Sequence, residues 1–132
     1  MTYALDANII IHLMRSNPRV TERFYHALST IDSVHIPPYA DYEVRRGLRY
    51  ANAIGKEKAY DFLSGNCIMG KMRRETWSLA ADLYATTRQN HFTISDADLL
   101  IAAFCIIGGH TLVTNNTKDF ANIQGLSLVD WT

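Results

Sequence analysis

One stretch constrains this chain more than any other: Thr93–Phe104, which reads TISDADLLIAAF. Leu99, Leu100, Ile101, Ala102, Ala103 and Phe104 follow one another with no polar break. A helix that is apolar on all sides has to be buried. Ser95 is placed to cap it, because its hydroxyl can accept one of the backbone N–H groups left unpaired in the first turn. Asp96 and Asp98 then fall in that turn, where the helix dipole favours negative charge. Ser95-x-x-Asp98 also has the spacing of a capping box, with Asp in place of the usual Glu, so the acids have a purely structural reading. Their chemical reading starts from cost. A carboxylate at the tip of a buried helix is expensive unless something pairs with it, and a divalent cation pairs with several at once.

Around this helix the chain alternates short apolar runs with helical periodicity. Thr2–Asp6 reads as a short buried strand ending on an acid, with a helix from about Asn8 and another opened by Pro18. Ser33–Ile36 is a second strand, stopped by Pro37 and Pro38. Tyr39–Tyr50 follows as a helix in which Tyr39, Tyr42, Glu43, Arg46 and Arg49 recur at three- and four-residue steps. Ala53–Leu63 is a further helix, and Cys67–Met69 a brief third strand. Glu75–Gln89 is a long helix with Trp77, Leu79, Ala80, Leu83 and Tyr84 as its apolar positions, and Trp77 is read as core. The Ser95–Ile107 helix ends at Gly108-Gly109. Thr111–Thr114 and Leu126–Val129 are the last strands. This alternation predicts a single α/β domain over residues 1–132, with a short, mostly parallel central sheet and helices on both faces.

Composition narrows the function. Thirteen Lys and Arg balance thirteen Asp and Glu, for a formal net charge of zero. That argues against a nucleic-acid binder driven by bulk charge alone. The cations are clustered, however: Arg45, Arg46 and Arg49 in one group, Lys71, Arg73 and Arg74 in another. No apolar run is long enough to span a bilayer, and the N-terminal segment, with Asp6 and His12 in it, is not a secretory signal. Cys67 and Cys105 lack metal-ligand spacing, which fits free thiols in a cytoplasmic protein. The five histidines share no spacing and read as surface or strand-end residues.

In parallel α/β sheets, functional groups gather beyond the carboxyl ends of the strands. Asp6 ends the first strand, Glu43 follows the second, Asp119 follows the strand ending at Thr114, and Asp98 opens the buried helix. Carboxylates held close together repel, and one or more takes up a proton unless a cation intervenes. Mg²⁺ suits such a site: it prefers oxygen ligands and is held by one or two carboxylates plus substrate phosphates. The His and Cys set that zinc favours is missing. A bound metal acidifies water and neutralises the phosphate under attack, so an acidic Mg²⁺ pocket suits hydrolysis of a phosphodiester.

Four pieces of the chain carry a family resemblance: Tyr3-Ala-Leu-Asp-Ala-Asn-Ile9, Tyr42-Glu-Val-Arg-Arg-Gly-Leu48, Ile94-Ser-Asp-Ala-Asp-Leu-Leu-Ile-Ala-Ala103 and Leu112-Val-Thr-Asn-Asn-Thr-Lys-Asp-Phe120. In order and spacing they resemble the PIN-domain ribonucleases, and among these the VapC-type toxins of bacterial toxin–antitoxin pairs. The resemblance implies a PIN-like three-layer fold. It makes Asp6, Glu43 and Asp98 the core acids, with Asp119 as a fourth, and places Asn8, Asp96, Asn116 and Thr114 around them. It implies hydrolysis of RNA loops, in transfer or ribosomal RNA, with Mg²⁺ or Mn²⁺, leaving a 5′-phosphate and a 3′-hydroxyl. It implies a cognate antitoxin whose tail lies across the site, DNA contact only through that complex, and a homodimer, for which the Tyr39–Tyr60 region is one candidate interface. Arg45, Arg46, Lys71, Arg73, Arg74 and Lys118 are the candidates for the basic rim that RNA needs beside an acidic cleft. The chain departs from the family pattern at Ala7, where Thr or Ser is usual, and at Asn116, where many relatives carry an acid. Whether Asn116 or Asp119 completes the site stays open.

Two other readings compete. A phospho-receiver domain is also a small parallel α/β fold with an acidic Mg²⁺ pocket, but Asp6 has no acidic neighbour and Cys67–Met69 ends in no Asp. A catalytically silent PIN-like module, acting only through its partner complex, is kept in view by Ala7 and opposed by retention of every core acid.

Overall fold

The computed structural model describes all residues, Met1–Thr132. Five strands form one sheet: β1 (Thr2–Leu5), β2 (Ser33–Ile36), β3 (Ile68–Met69), β4 (Thr111–Val113) and β5 (Ser127–Val129), in the order β3-β2-β1-β4-β5. All four pairings are parallel, with Ala4 opposite both His35 and Leu112. Successive residues of a strand face opposite sides. Ala4 and Leu5, like Leu112 and Val113, are all fully buried. Both faces of the sheet are therefore covered, as a parallel sheet requires.

Seven helices supply the cover: α1 (Ala7–Met14), α2 (Pro18–Ser29), α3 (Pro38–Tyr50), α4 (Ile54–Ser64), α5 (Arg74–Gln89), α6 (Asp96–Gly108) and the single turn α7 (Thr117–Phe120). Helices α1 to α4 pack among themselves, α5 packs on α6, and α3 meets α6. Helix α6 is the organising helix expected: Leu99, Ile101, Ala102, Ala103, Phe104 and Cys105 are buried. The Ser95 hydroxyl accepts the Asp98 N–H at 3.2 Å, and Gly109 closes the helix in the left-handed conformation at φ 68°. Gly70 clears a close approach, since a Cβ there would lie 2.3 Å from the Phe104 ring.

Three details differ from the sequence reading. Helix α1 starts at Ala7, because Asp6 itself caps it by accepting the Ala7 N–H at 2.8 Å. Trp77 is not core but 54% exposed, because α5 has α6 on one side and solvent on the other. His35 and His110 are not isolated: their rings stack 4.1 Å apart, and Phe104 stacks on His110. The ring of His110 fits because residue 108 is Gly, where a Cβ would meet it at 2.3 Å. Burial and the neighbouring His35 push His110 down to about 4, and burial lowers His35 as well, so the pair is neutral at pH 7. Neither cysteine is bonded, and burial holds the Cys67 thiol up at about 12.

Candidate active site

The strand order reverses between β1, which leads to β2 on one side, and β4 on the other. Such a switch point leaves a crevice at the carboxyl ends of the two strands. Asp6 directly follows β1 and Thr114 directly follows β4, so both are set at that crevice by the backbone pairing of Leu5 with Val113.

Asp6 is buried and held by three donors. The Ala7 N–H reaches Oδ1, the Thr114 hydroxyl reaches Oδ2 at 2.8 Å, and the Asn8 side-chain amide reaches Oδ2 at 3.1 Å. Thr114 is fully buried, and its oxygen also accepts the Asn116 N–H at 3.0 Å. Asn8 in turn accepts the Asn115 N–H at 3.3 Å. The loop after β4 is thereby tied to the start of α1. Ala7 has no hydroxyl to offer; the hydroxyl donor to Asp6 is that of Thr114, just after β4. Asn115, outside the sequence-based set, is a further part of this brace, and its side chain lies 3.2 Å from His12 Nε2.

Glu43 comes from the second turn of α3 and Asp98 from the first turn of α6. Both are half-buried. Burial raises the affinity of Asp6, Glu43 and Asp98 for a proton, and each is raised further by neighbouring acids. Glu43 senses Asp6 and Asp98; Asp98 senses Asp6 and Asp119; Asp6 senses Asp119. Four acids from four separate parts of the sequence thus form one electrostatic unit. The one ion pair to these acids comes from Arg46, whose guanidinium lies 3.9 Å from Glu43 Oε2 and over the Tyr42 ring.

The set is open rather than cage-like. No three His, Cys, Asp or Glu side chains converge into a closed ligand cluster. The donors are all oxygens, with Asp6 rigidly braced and Asp119 on the exposed rim. That donor set fits a hard cation that keeps several of its waters and takes only one or two carboxylates directly.

The other expected residues divide. Asp96 is exposed, is not among the charges felt by the core acids, and lines a groove between α5 and α6. Asn116 reaches the site through its backbone N–H. Lys71, Arg73, Arg74 and Lys118 are exposed. Arg45 is committed elsewhere: it pairs with Asp41 at 3.2 Å, Glu57 at 3.2 Å and Asp61 at 2.8 Å, and covers the Tyr60 ring. It ties α3 to α4 and has no free face for phosphate.

Next to Glu43 runs a groove of about 440 Å³ between α1, α2, α3 and α4. Its walls include Ile11, Met14, Tyr25, Leu48 and Phe62, and Glu43 is among the residues that line it. Phe62 is 80% exposed, a large apolar surface for a side chain beside an acid cluster.

The model of the PIN domain matches residues 3–126. The chain belongs to the PIN domain family. Among curated relatives, Ribonuclease VapC2 of Rickettsia felis is 26% identical, the match covering 99% of this chain and 98% of that one. Of the solved structures, VapBC-1 from nontypeable Haemophilus influenzae superposes with a TM-score of 0.88 at 25% identity, covering 99% of this chain and 98% of its counterpart. VapBC2 from Rickettsia felis, bound to a DNA fragment from its promoter, superposes with a TM-score of 0.92 at 24% identity over the full length of both chains. The resemblance carried by the four sequence pieces therefore extends over the whole fold.

Proposed function

We propose that this PIN domain is a Mg²⁺-dependent endoribonuclease toxin of the VapC type, acting on RNA loops such as those of tRNA or rRNA to stop translation. The observation that carries the proposal is the electrostatic unit of Asp6, Glu43, Asp98 and Asp119 at the switch point of the sheet. A bound Mg²⁺, or Mn²⁺ in its place, would neutralise the attacked phosphate and acidify a water. Asp6, Glu43 and Asp98 would hold the cation, one or two of them directly and the rest through its waters, with Asp119 on the rim and Thr114 and Asn8 keeping Asp6 in place. Arg46, 3.9 Å from Glu43, would meet a phosphate oxygen arriving beside that acid. Lys71, Arg73, Arg74 and Lys118 remain the other candidate cations for the RNA backbone. Single-stranded loops suit such a cleft because their backbone can be splayed into it.

The relatives' structures as VapBC complexes support an antitoxin partner for this chain, some of them holding DNA as well. The apolar groove that Glu43 lines would take an amphipathic segment of that partner, and a cationic side chain from it would pair with the carboxylates in place of metal. DNA would be reached through the antitoxin alone. A homodimer, if formed through the Tyr39–Tyr60 segment, would use the exposed Tyr50 and Ile54, because Tyr60 is fully buried.

Calorimetric titration with Mn²⁺, combined with cleavage of a synthetic RNA hairpin, tests this reading. Metal binding and metal-dependent cuts, both lost in Asp98→Asn, are expected. A folded chain that binds no Mn²⁺ would instead be the silent interaction module.

A further inference from the structure

Helix α5 presents a stripe that the acid cluster does not use. Arg74, Trp77, Ala81, Tyr84 and Arg88 recur at steps of three and four, and all five are exposed. Residues at that spacing share one face of a helix. Trp77 is 54% and Tyr84 44% exposed, and the Arg88 guanidinium lies 4.6 Å over the Tyr84 ring. The acids of α5, Glu75 and Asp82, are absent from this face. The stripe borders a groove of about 410 Å³ floored by Ala80, Ala81, Leu99 and Leu100. Asp96, two positions before Asp98 on α6, is also among its lining residues.

We propose that this stripe of α5 is a stacking platform for single-stranded RNA, on which bases flanking the cut bond lie against Trp77 and Tyr84 while Arg74 and Arg88 hold the backbone. The inference rests on the ribonuclease reading of the acid cluster. Aromatic rings interleaved with cations are what sequence-tolerant single-strand binding requires, because every base offers a π-face and every nucleotide a phosphate. The charge pattern also disfavours the other simple occupant, a second copy of this chain. A two-fold pairing of the stripe on itself about Ala81 sets Arg74 of one copy against Arg88 of the other, and like charges face to face are repulsive. A polyanion meets no such conflict. The groove's apolar floor suits the ring edges of bases, and Asp96 on its wall belongs to the same first turn of α6 as Asp98.

The test uses intrinsic fluorescence. Trp131 is 3% exposed and packed on Tyr3, so Trp77 is the tryptophan that an added ligand can reach. Short single-stranded RNA is titrated into the Asp98→Asn chain, with a duplex of the same sequence as control. Cleavage of the same RNA by chains with intact acids is followed in parallel. The proposal predicts quenching by the single strand only and, by anisotropy of end-labelled RNA, affinity about ten-fold lower for Trp77→Ala with most of that loss recovered in Trp77→Phe. The double variant Arg74→Ala, Arg88→Ala keeps both rings and lowers the salt dependence of binding. Three results overturn the platform. If Trp77→Ala neither weakens binding nor slows cleavage, the nuclease stands without the platform. The variants can change the sedimenting mass while RNA affinity is unmoved, which makes the stripe an interface between copies. An unsubstituted chain that neither binds nor cuts RNA removes platform and nuclease together.

Discussion

The hydroxyl of Thr114 donates to Asp6 Oδ2 at 2.8 Å, joining the ends of two strands 108 residues apart in sequence. Thr114 is fully buried and Asp6 nearly so. The bond holds the Asp6 carboxylate in one orientation and favours its charged form against the cost of burial. Thr114→Val keeps the shape and removes the donor. Leaving a buried carboxylate short of a partner costs about 1–3 kcal/mol. Urea denaturation should show a loss in that range, with weaker Mn²⁺ binding, while Thr114→Ser should retain most of both.

The acids make the metal-free protein less stable than it would otherwise be. Asp6, Glu43 and Asp98 all bind a proton more tightly in the fold than their ordinary values, through burial first and mutual repulsion second. A carboxyl raised in this way stabilises the fold fully below its unfolded value, near pH 4. That contribution is lost as pH climbs through the raised folded value. Asp98→Asn removes one charge from the cluster. In EDTA it should therefore melt higher than the unsubstituted chain at pH 7, with the gap closing toward pH 4. Adding Mn²⁺ at pH 7 should raise the melting temperature of the unsubstituted chain and not that of Asp98→Asn.

Arg45 should behave as a structural residue. It links Asp41 on α3 to Glu57 and Asp61 on α4 and covers the buried Tyr60, whose hydroxyl donates to Asp41 at 2.7 Å. Arg45→Met should cost about 1–3 kcal/mol by denaturation, since several charge-assisted bonds go at once. RNA affinity of the folded variant should be unchanged. Lys118→Ala, with an exposed side chain beside Asp119, should do the reverse: stability held, RNA affinity reduced several-fold, and the salt slope shallower by about one.

With an antitoxin segment in the groove beside Glu43, as proposed, inhibition and catalysis would be separable by substitution. Phe62 stands 80% exposed on its wall and touches no acid of the cluster by hydrogen bond or ion pair. Phe62→Asp should leave cleavage of RNA intact and weaken binding of the cognate antitoxin by about ten-fold or more, as loss of an aromatic anchor does. Surface plasmon resonance with the purified antitoxin reads the difference.

Much of the fold was legible because local signals agreed with one another. Ser95 capping an unbroken apolar run, Pro37-Pro38 closing a strand and Gly109 closing α6 are all one-dimensional features with direct structural meaning. The acids were legible because each follows a strand or opens a helix. Other features depend on what lies across space. Trp77 and Leu79 are both apolar positions of one helix, and only the placement of α6 decides which is covered. Arg45 reads as one cation in a basic run until α4 brings Glu57 and Asp61 against it. The hydroxyl that donates to Asp6 belongs to residue 114, brought there by the parallel pairing of β1 with β4.

The central claim is that four acids at the switch point form a metal-dependent RNA-cutting site. Its most direct test is cleavage of purified tRNAs and rRNA fragments by the antitoxin-free chain, with Mg²⁺ or Mn²⁺, with EDTA, and with Asp98→Asn. Discrete cuts that need metal, leave 5′-phosphate ends and vanish in the variant are the predicted result. A folded, antitoxin-free chain that leaves every RNA intact in both metals and binds no Mn²⁺ would contradict the account.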